Sequence, residues 1–194
     1  MIRVALLRHF PTDWNAEARL QGRTDRPLTD AARARLSGLC LPPPWHEVPL
    51  FASPLRRARD TAEALADGRA VTPAPALVEQ DLGAWEGRRS ADLLADPDSD
   101  FVPTHRLGWT VRPPGGESHA DMWARLRPFL AGLTGPAVLV THKGVMRVLL
   151  TLADAPRTDD GAPEIRRARL YPLDLGPDGT PTAWSPPVRL APRA

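Results

Sequence analysis

Two short apolar segments of the chain each lead directly into a histidine. Residues 4–7 precede Arg8 and His9, and Ala137–Thr141 precedes His142. Short runs of consecutive apolar residues favour strands that are covered on both faces, as in a parallel sheet. Because open α/β sheets bind their ligands at the carboxyl ends of the strands, both histidines are candidate site residues.

Size and composition limit the kinds of protein that this chain can be. Its 194 residues, 42% of them hydrophobic, suffice for one well-buried domain, 1–194, with no internal repeat. The formal net charge is only +2, and no dense Lys/Arg block stands out, so no nucleic-acid partner is expected. With Cys40 as its one cysteine, the chain can form neither an internal disulfide nor a cysteine-based zinc site.

The hydrophobic runs of the chain are short. The N-terminal run is too short for a secretory signal peptide, and none approaches the ~18 apolar residues of a membrane span. A single cysteine also fits a reducing compartment. We therefore expect no membrane partner and a cytoplasmic location.

Strand and helix patterns alternate along the chain. This alternation predicts an α/β fold, a three-layer α/β/α sandwich around a mostly parallel central sheet. The expected helices cover 29–40 with Thr29 as N-cap, 54–66, 90–95, a segment that starts at Ser118, and 145–152. Further strands are expected at 50–53 and, as edge strands, at 167–175 and 188–191, within loops that begin after Pro156. His119, at the start of its helix, is expected to be a surface or cap residue and not a ligand.

Arginines gather at the start of the helix expected at 54–66. Arg56, Arg57 and Arg59 occupy its first two turns, where each positive charge opposes the helix macrodipole by ~0.3–1 kcal/mol. A solvated, salt-bridged helix would explain them, but so would an anionic ligand, since the planar guanidinium fork binds phosphate bidentately. Together with two histidines at one sheet edge, they favour a phosphate group over a metal ion, which arginines would repel.

Five motifs occur in order along residues 3–152. They are Leu7-Arg8-His9 with Thr12, Trp14, Asn15 and 21–29; 53–62, which contains Arg57 before Ala58; 77–87, which contains Glu79 and Glu86; Gly115-Gly116-Glu117-Ser118; and Val140-Thr141-His142-Lys143-Gly144-Val145. In this combination they resemble the phosphatase branch of the histidine phosphatase superfamily, the phosphoglycerate-mutase-like family. The resemblance implies a phosphoglycerate-mutase-like fold and a phosphomonoesterase that uses neither a metal nor a cofactor.

The resemblance also implies a role for individual residues. His9 is the expected nucleophile, which becomes a phosphohistidine, and Glu79 is the expected proton donor, with Glu86 as the fallback acid. The implied catalytic residues are His9, Glu79, Arg8, Arg57 and His142. The implied substrate-binding residues are Arg8, Asn15, Gln21, Gly22, Arg57, Glu79, His142 and Lys143.

The chain departs from the family pattern at two positions. Phe10 stands where the family usually has a glycine after the nucleophile, and Lys143 stands where a glycine usually follows the second histidine. Neither change removes a catalytic group, so they bear on the choice of substrate. The implied partner is a small phosphorylated metabolite. Whether the chain forms a homodimer is not determined by the sequence.

The sequence is also compatible with two alternative functions. A phosphoglycerate mutase ranks lower, because only residues 88–115 separate Gly87 from Gly116, and the mutases resemble longer chains with more insertion here. A phosphate-binding regulatory domain without turnover belongs to a different class, and Phe10 keeps it open.

Overall fold

The computed structural model describes residues 1–155 and 163–193 of the protein. Its strands are β1 (Ile2–Arg8), β2 (Leu39–Cys40), β3 (Leu50–Ala52), β4 (Val71–Pro73), β5 (Ala137–Thr141), β6 (Arg169–Leu175), β7 (Pro181–Trp184), β8 (Val188–Arg189) and β9 (Ala191–Pro192). Its α-helices are α1 (Asp13–Ala16), α2 (Asp30–Ser37), α3 (Arg56–Leu65), α4 (Ser90–Ala95), α5 (His119–Ala131) and α6 (Lys143–Leu152).

The main sheet is mixed. Within the described residues its strands lie in the order β4-β3-β5-β1-β6-β7, and β8 also pairs with β6. The first four strands of this order are mutually parallel, and β6, β7 and β8 add an antiparallel part beyond β1. The predicted α/β fold with a largely parallel sheet is confirmed.

Strand β1 divides the hydrophobic core into two layers. Successive side chains of a strand point to opposite faces, so Val4 and Leu6 pack with α5 and α6, whereas Ala5 and Leu7 pack with α2 and α3. All four side chains are fully buried. The two helical layers around one sheet form the predicted three-layer sandwich.

The predicted helix caps are present. The Thr29 hydroxyl accepts a hydrogen bond from the Ala32 N–H at 3.1 Å. The Ser118 hydroxyl accepts from the Asp121 N–H at 3.1 Å, and the Asp121 carboxylate accepts from the Ser118 N–H at 2.9 Å, which completes a capping box. The helix predicted at 29–40 ends three residues early, because β2 follows it and pairs with β9.

The prediction that 167–175 forms an edge strand is wrong, because β6 lies between β1 and the strands β7 and β8. Pro172 in its middle is typical of an edge, since proline cannot donate to a sheet. It falls between the residues that pair with β8 and those that pair with β7, and its carbonyl accepts from the Ser185 N–H at 3.0 Å. Its missing N–H therefore coincides with a break in the neighbouring strands.

Of the two positions expected for His119, at the surface or in the helix cap, the surface position is wrong. The side chain is buried, with its ring centroid 6.2 Å from the ring of Trp109. Burial, and then the charge of Arg147, lowers the pKa of His119 to about 4. Local capping preferences placed it at a helix start, but packing of the segment before α5 covers it.

Within residues 1–155 and 163–193, no helix is long and apolar enough to cross a lipid bilayer. Loops are predicted after Pro156, and the first part of this region, residues 156–162, is outside the described residues.

Candidate active site

The carboxyl ends of three neighbouring strands meet where the candidate site lies. His9 follows β1, and its N–H donates to the Thr141 carbonyl of β5 at 2.9 Å. Ser53 follows β3, and its N–H donates to the Val140 carbonyl of β5 at 3.0 Å. The rings of His9 and His142 are consequently only 5.1 Å apart, centroid to centroid. The predicted meeting of the two strand ends is confirmed.

The imidazole of His9 is held in one orientation. Its Nδ1 lies 2.6 Å from the Phe10 carbonyl oxygen, which can only accept, so Nδ1 carries the hydrogen and Nε2 keeps its lone pair. Burial, and then the positive charges of Arg57 and Arg8, hold the pKa of His9 well below its usual value. His9 is therefore neutral near pH 7, the form that can attack an electrophile.

Phe10 points away from the site. Its side chain is fully buried among the residues that pack between the sheet and helices α2 and α3. Its N–H donates to the Thr61 hydroxyl at 3.1 Å, and its carbonyl accepts from His9. The departure from glycine thus adds core packing and leaves the His9 imidazole uncovered by the phenyl ring.

Arg57 is a fully buried cation beneath the two histidines. Its guanidinium donates to the carbonyls of Gly22 at 2.6 Å and Thr24 at 2.9 Å, and its Nε donates to Nδ1 of His142 at 3.2 Å. Because these bonds occupy three different nitrogens, Arg57 fixes the loop at 22–24 and the second histidine together. Burial lowers its pKa, and Glu79 is the largest opposing influence.

His142 has both ring nitrogens engaged. Since Nδ1 accepts from Arg57, Nε2 carries the hydrogen and donates to the Ser53 hydroxyl at 2.8 Å. Burial, and then the charge of Arg57, holds the pKa of His142 well below its usual value. The second histidine is therefore a fixed, neutral group beside His9.

The other two arginines of the helix start lie in water. Arg56 and Arg59 are about half exposed and pair with the carboxylates of Asp60 and Glu63. They fit the alternative of a solvated, salt-bridged face, whereas Arg57 does not. One residue of the cluster, and not the cluster as a whole, belongs to the site.

The carboxylate of Glu79 is buried and rigidly placed. Its oxygens accept from the backbone N–H groups of Gln80 at 2.9 Å and Gly144 at 3.1 Å. A side-chain carbon at Gly144 would collide with the same carboxylate, so a larger residue at this position would displace Glu79. The preceding loop is anchored by the Thr141 hydroxyl, which donates to the Leu77 carbonyl at 2.7 Å.

Glu86 has a different task from Glu79. One of its carboxylate oxygens accepts from the N–H groups of Gly22 and Thr24, so it supports the loop that Arg57 also holds. It does not line the cavity in which His9 and Glu79 lie. This placement favours Glu79 over the fallback acid.

A cavity of about 480 Å³ opens above His9, within the ~300–1,000 Å³ that is typical of small-molecule sites. Of the predicted site residues, those that line it are Arg8, His9, Asn15, Gln21, Glu79 and Lys143. Three predicted residues, Gly22, Arg57 and His142, lie behind this wall, with hydrogen bonds to their neighbours.

The Nε–H group of Arg8 is buried and has no hydrogen-bond partner among the described residues. Burial lowers the pKa of this arginine, with Glu79 as the largest opposing influence. That Nε atom is closed off from solvent, so it does not itself face the cavity. The rest of the side chain is half-buried and lines the cavity, where it places a positive charge beside an anionic ligand above His9.

Sequence reasoning missed two arginines near the site. Arg147 is buried in the cavity wall, one helical turn after Lys143 on the same face of α6. The available signal was that Arg147 is the one charged residue in the apolar segment 145–152. Arg167, which contacts His9 and Asn15, carries no comparable signal. Within the described residues, no three His, Cys, Asp or Glu side chains form a metal-binding group.

Known proteins resemble this chain along most of its length. The model of the "histidine phosphatase superfamily (branch 1)" matches residues 4–183. A glucosyl-3-phosphoglycerate phosphatase of Mycobacterium tuberculosis is 35% identical over an alignment of 172 residues that covers 76% of this chain and 73% of that protein. A probable phosphoglycerate mutase of Enterobacter sp. is 36% identical over 143 residues, covering 68% of this chain and 62% of its own. The crystal structure of a phosphoglycerate mutase from Thermus thermophilus superposes with a TM-score of 0.73 at 35% identity, covering 98% of this chain and 99% of its own.

Proposed function

Because this chain belongs to the histidine phosphatase superfamily, we propose that it hydrolyses a small phosphorylated metabolite through a phosphohistidine on His9. One observation carries the proposal: the neutral His9 imidazole is locked by the Phe10 carbonyl, with Nε2 left as its nucleophilic atom. Arg8 and Glu79 line the same cavity. A nucleophile, a cation and an acid are therefore available around one phosphate group.

Substrate binding begins with the phosphate group. Arg8 supplies a half-buried guanidinium, and Asn15 and Gln21 add side-chain amides to the same wall. Arg57 and His142 stiffen this wall from behind. Positive charge placed in advance around the equatorial oxygens stabilises the transition state of phosphoryl transfer.

The first chemical step transfers the phosphoryl group to the enzyme. Nε2 of His9 donates its lone pair to phosphorus while the bond from phosphorus to the ester oxygen breaks. Glu79 gives a proton to the departing oxygen, which leaves as an alcohol. The products of this step are the alcohol, the Glu79 carboxylate and a phosphohistidine.

The second step returns the enzyme to its starting state. The Glu79 carboxylate takes a proton from a water molecule, whose oxygen attacks phosphorus as the P–N bond breaks. Inorganic phosphate leaves, and His9 is again neutral with its Nδ1 hydrogen on the Phe10 carbonyl. One water molecule is consumed for each ester.

The cavity has room for more than a phosphate group. Lys143 and Arg147 extend its cationic wall beyond His9, and Phe101 adds an aromatic surface. The mycobacterial relative is named a glucosyl-3-phosphoglycerate phosphatase. Sugar phosphates and phosphorylated acids are accordingly the first compounds to test as substrates.

The location of Phe10 weakens the case for a domain without turnover. That alternative rested on a bulky residue next to the nucleophile, but the phenyl ring lies in the core. The mutase alternative keeps the support of the mutase relatives. It differs from the proposal in what accepts the phosphoryl group from His9.

Hydrolysis of p-nitrophenyl phosphate in the presence of EDTA is the direct test. We expect phosphate release at an unchanged rate after chelation, because guanidinium groups of the chain supply the positive charge. In parallel, interconversion of 2- and 3-phosphoglycerate is compared with their hydrolysis. Hydrolysis should dominate.

Two results would redirect the proposal. Interconversion faster than hydrolysis would select the mutase. Loss of activity in EDTA that returns on addition of a divalent cation would contradict the metal-independent mechanism. A panel of phosphorylated metabolites, ranked by kcat/KM, then identifies the class of substrate.

A further inference from the structure

Arg167 reaches the catalytic loop from the far end of the chain. It lies just before β6, and β6 is placed beside β1 by their antiparallel pairing. Its Nε donates to the His9 carbonyl at 3.1 Å, and a terminal nitrogen donates to Oδ1 of Asn15 at 2.7 Å. One guanidinium fork thus joins the nucleophile's backbone to a side chain of the cavity wall.

The hydrogen bonds of Asn15 determine which way its amide faces. Its Oδ1 accepts from the Thr12 N–H at 3.1 Å and also from Arg167. A reversed amide would direct its NH₂ group at two N–H donors, which is unfavourable. The remaining group of the amide, Nδ2, is the donor left for a ligand at the cavity wall that Asn15 lines.

The backbone around His9 is also completed by Arg167. The His9 N–H is held by Thr141, and the Phe10 N–H is held by Thr61. The His9 carbonyl is held by Arg167. The segment that carries the nucleophile is therefore fixed on each side by a different element of the fold.

The charge of Arg167 acts on the same group. Burial, and then the charge of Arg8, lowers the pKa of Arg167 to about 10, so it remains a cation at neutral pH. Its charge contributes to the lowered pKa of His9, after burial and the charges of Arg57 and Arg8. The hydrogen bond to the His9 carbonyl and the lowered pKa of His9 both favour the state in which His9 can attack.

We propose that Arg167 is a positioning residue that turns the Asn15 amide toward the bound phosphate and holds the His9 backbone in place. The inference rests on the proposed phosphatase function. It assigns to the segment before β6 a part in the site, although Arg167 lies behind the cavity wall and does not line it.

The test compares Arg167→Met and Arg167→Lys with the matched control Arg166→Met. Arg166 is the exposed neighbour, whose side chain pairs with Glu164. Loss of charged hydrogen bonds at Arg167 should lower kcat/KM for p-nitrophenyl phosphate by roughly ten- to hundredfold. The control should keep the wild-type value. Circular dichroism verifies that each variant is folded.

A pH profile separates the charge of Arg167 from its geometry. In Arg167→Met a positive charge is lost, the pKa of His9 rises, and the acid limb of kcat/KM should move to higher pH. Arg167→Lys keeps the charge but not the fork, so its acid limb should stay near that of the wild type while its kcat/KM falls. A purely structural defect would lower activity without this difference.

A double-mutant cycle with Asn15→Ala tests the path through the amide. If Arg167 acts through Asn15, the combined loss should be much smaller than the product of the two single losses. A loss equal to that product would overturn this path. Equal kcat/KM in Arg167→Met, Arg166→Met and the wild type would overturn the inference as a whole.

Binding of inorganic phosphate, measured by calorimetry, keeps this inference distinguishable from the proposed function. Binding requires no turnover, so it reports on Arg167 even in a chain that does not hydrolyse esters. The dissociation constant should rise in Arg167→Met and stay unchanged in Arg166→Met. Equal affinities in both variants would contradict the role of Arg167, whatever the activity.

Discussion

The variant His9→Ala should hydrolyse p-nitrophenyl phosphate at least about 10⁴-fold more slowly than the wild type, because it lacks the nucleophile. The second histidine of the site cannot take its place. In His142, Nδ1 accepts from Arg57 and Nε2 donates to Ser53, so neither atom offers a free lone pair to phosphorus. Release of p-nitrophenolate at saturating substrate gives the measurement.

The control for this variant is His46→Ala. His46 is half exposed and pairs with Glu47, in the loop before the amino end of β3, whereas the site lies at the carboxyl ends of the strands. Its replacement should leave kcat and KM unchanged. Turnover by folded His9→Ala at a rate within tenfold of the wild type would exclude His9 as the nucleophile.

The variant Glu79→Gln should lower kcat/KM for an alkyl phosphate, such as glycerol phosphate, by about 10²–10⁴-fold, because an alkoxide is a poor leaving group without a proton. The effect on kcat/KM for p-nitrophenyl phosphate should be much smaller, since p-nitrophenolate leaves without protonation. The kcat of both substrates should fall, because hydrolysis of the phosphohistidine also uses Glu79, as a base. A glutamine also places an NH₂ group against one of two backbone N–H donors, from Gln80 or Gly144. The ratio of the two substrates, and not the absolute rate, therefore measures the loss of the acid.

Glu86→Gln is the matched control for the proton donor. Its carboxylate supports the loop at Gly22 and Thr24, so its loss should slow both substrates by a similar factor. A strong dependence on the leaving group in Glu86→Gln, with none in Glu79→Gln, would transfer the role of the acid to Glu86.

Local sequence patterns could predict the centre of the site. The apolar runs before His9 and His142 are wholly buried in the structure, and parallel pairing of β1 with β5 then brings their ends together. The first step depends on residues that are adjacent in sequence, whereas the second joins distant segments and followed from the general placement of ligand sites at the carboxyl ends of parallel strands. The prediction that Arg57 and Glu79 belong to the site required the family resemblance, because nothing in the local pattern separates Arg57 from its exposed neighbours.

Contacts between distant parts of the chain could not be predicted in the same way. Arg167 contacts Asn15 only because β6 lies beside β1. The sequence of β6, with Pro172 in its middle, is instead typical of an edge strand. His119 is buried by packing against Trp109, which its helix-capping position does not reveal. Phe10 was a departure whose effect depended on which way its ring points.

The most direct test of the central claim is chemical trapping of the phosphorylated enzyme. Rapid quenching at alkaline pH during turnover, followed by mass spectrometry of peptides, should give an acid-labile phosphoryl group on His9 that forms and decays at rates compatible with kcat. The same experiment on His9→Ala should give no labelled peptide. An active wild type whose phosphoryl group is found on another residue, or one that shows single-step inversion at phosphorus, would contradict the account.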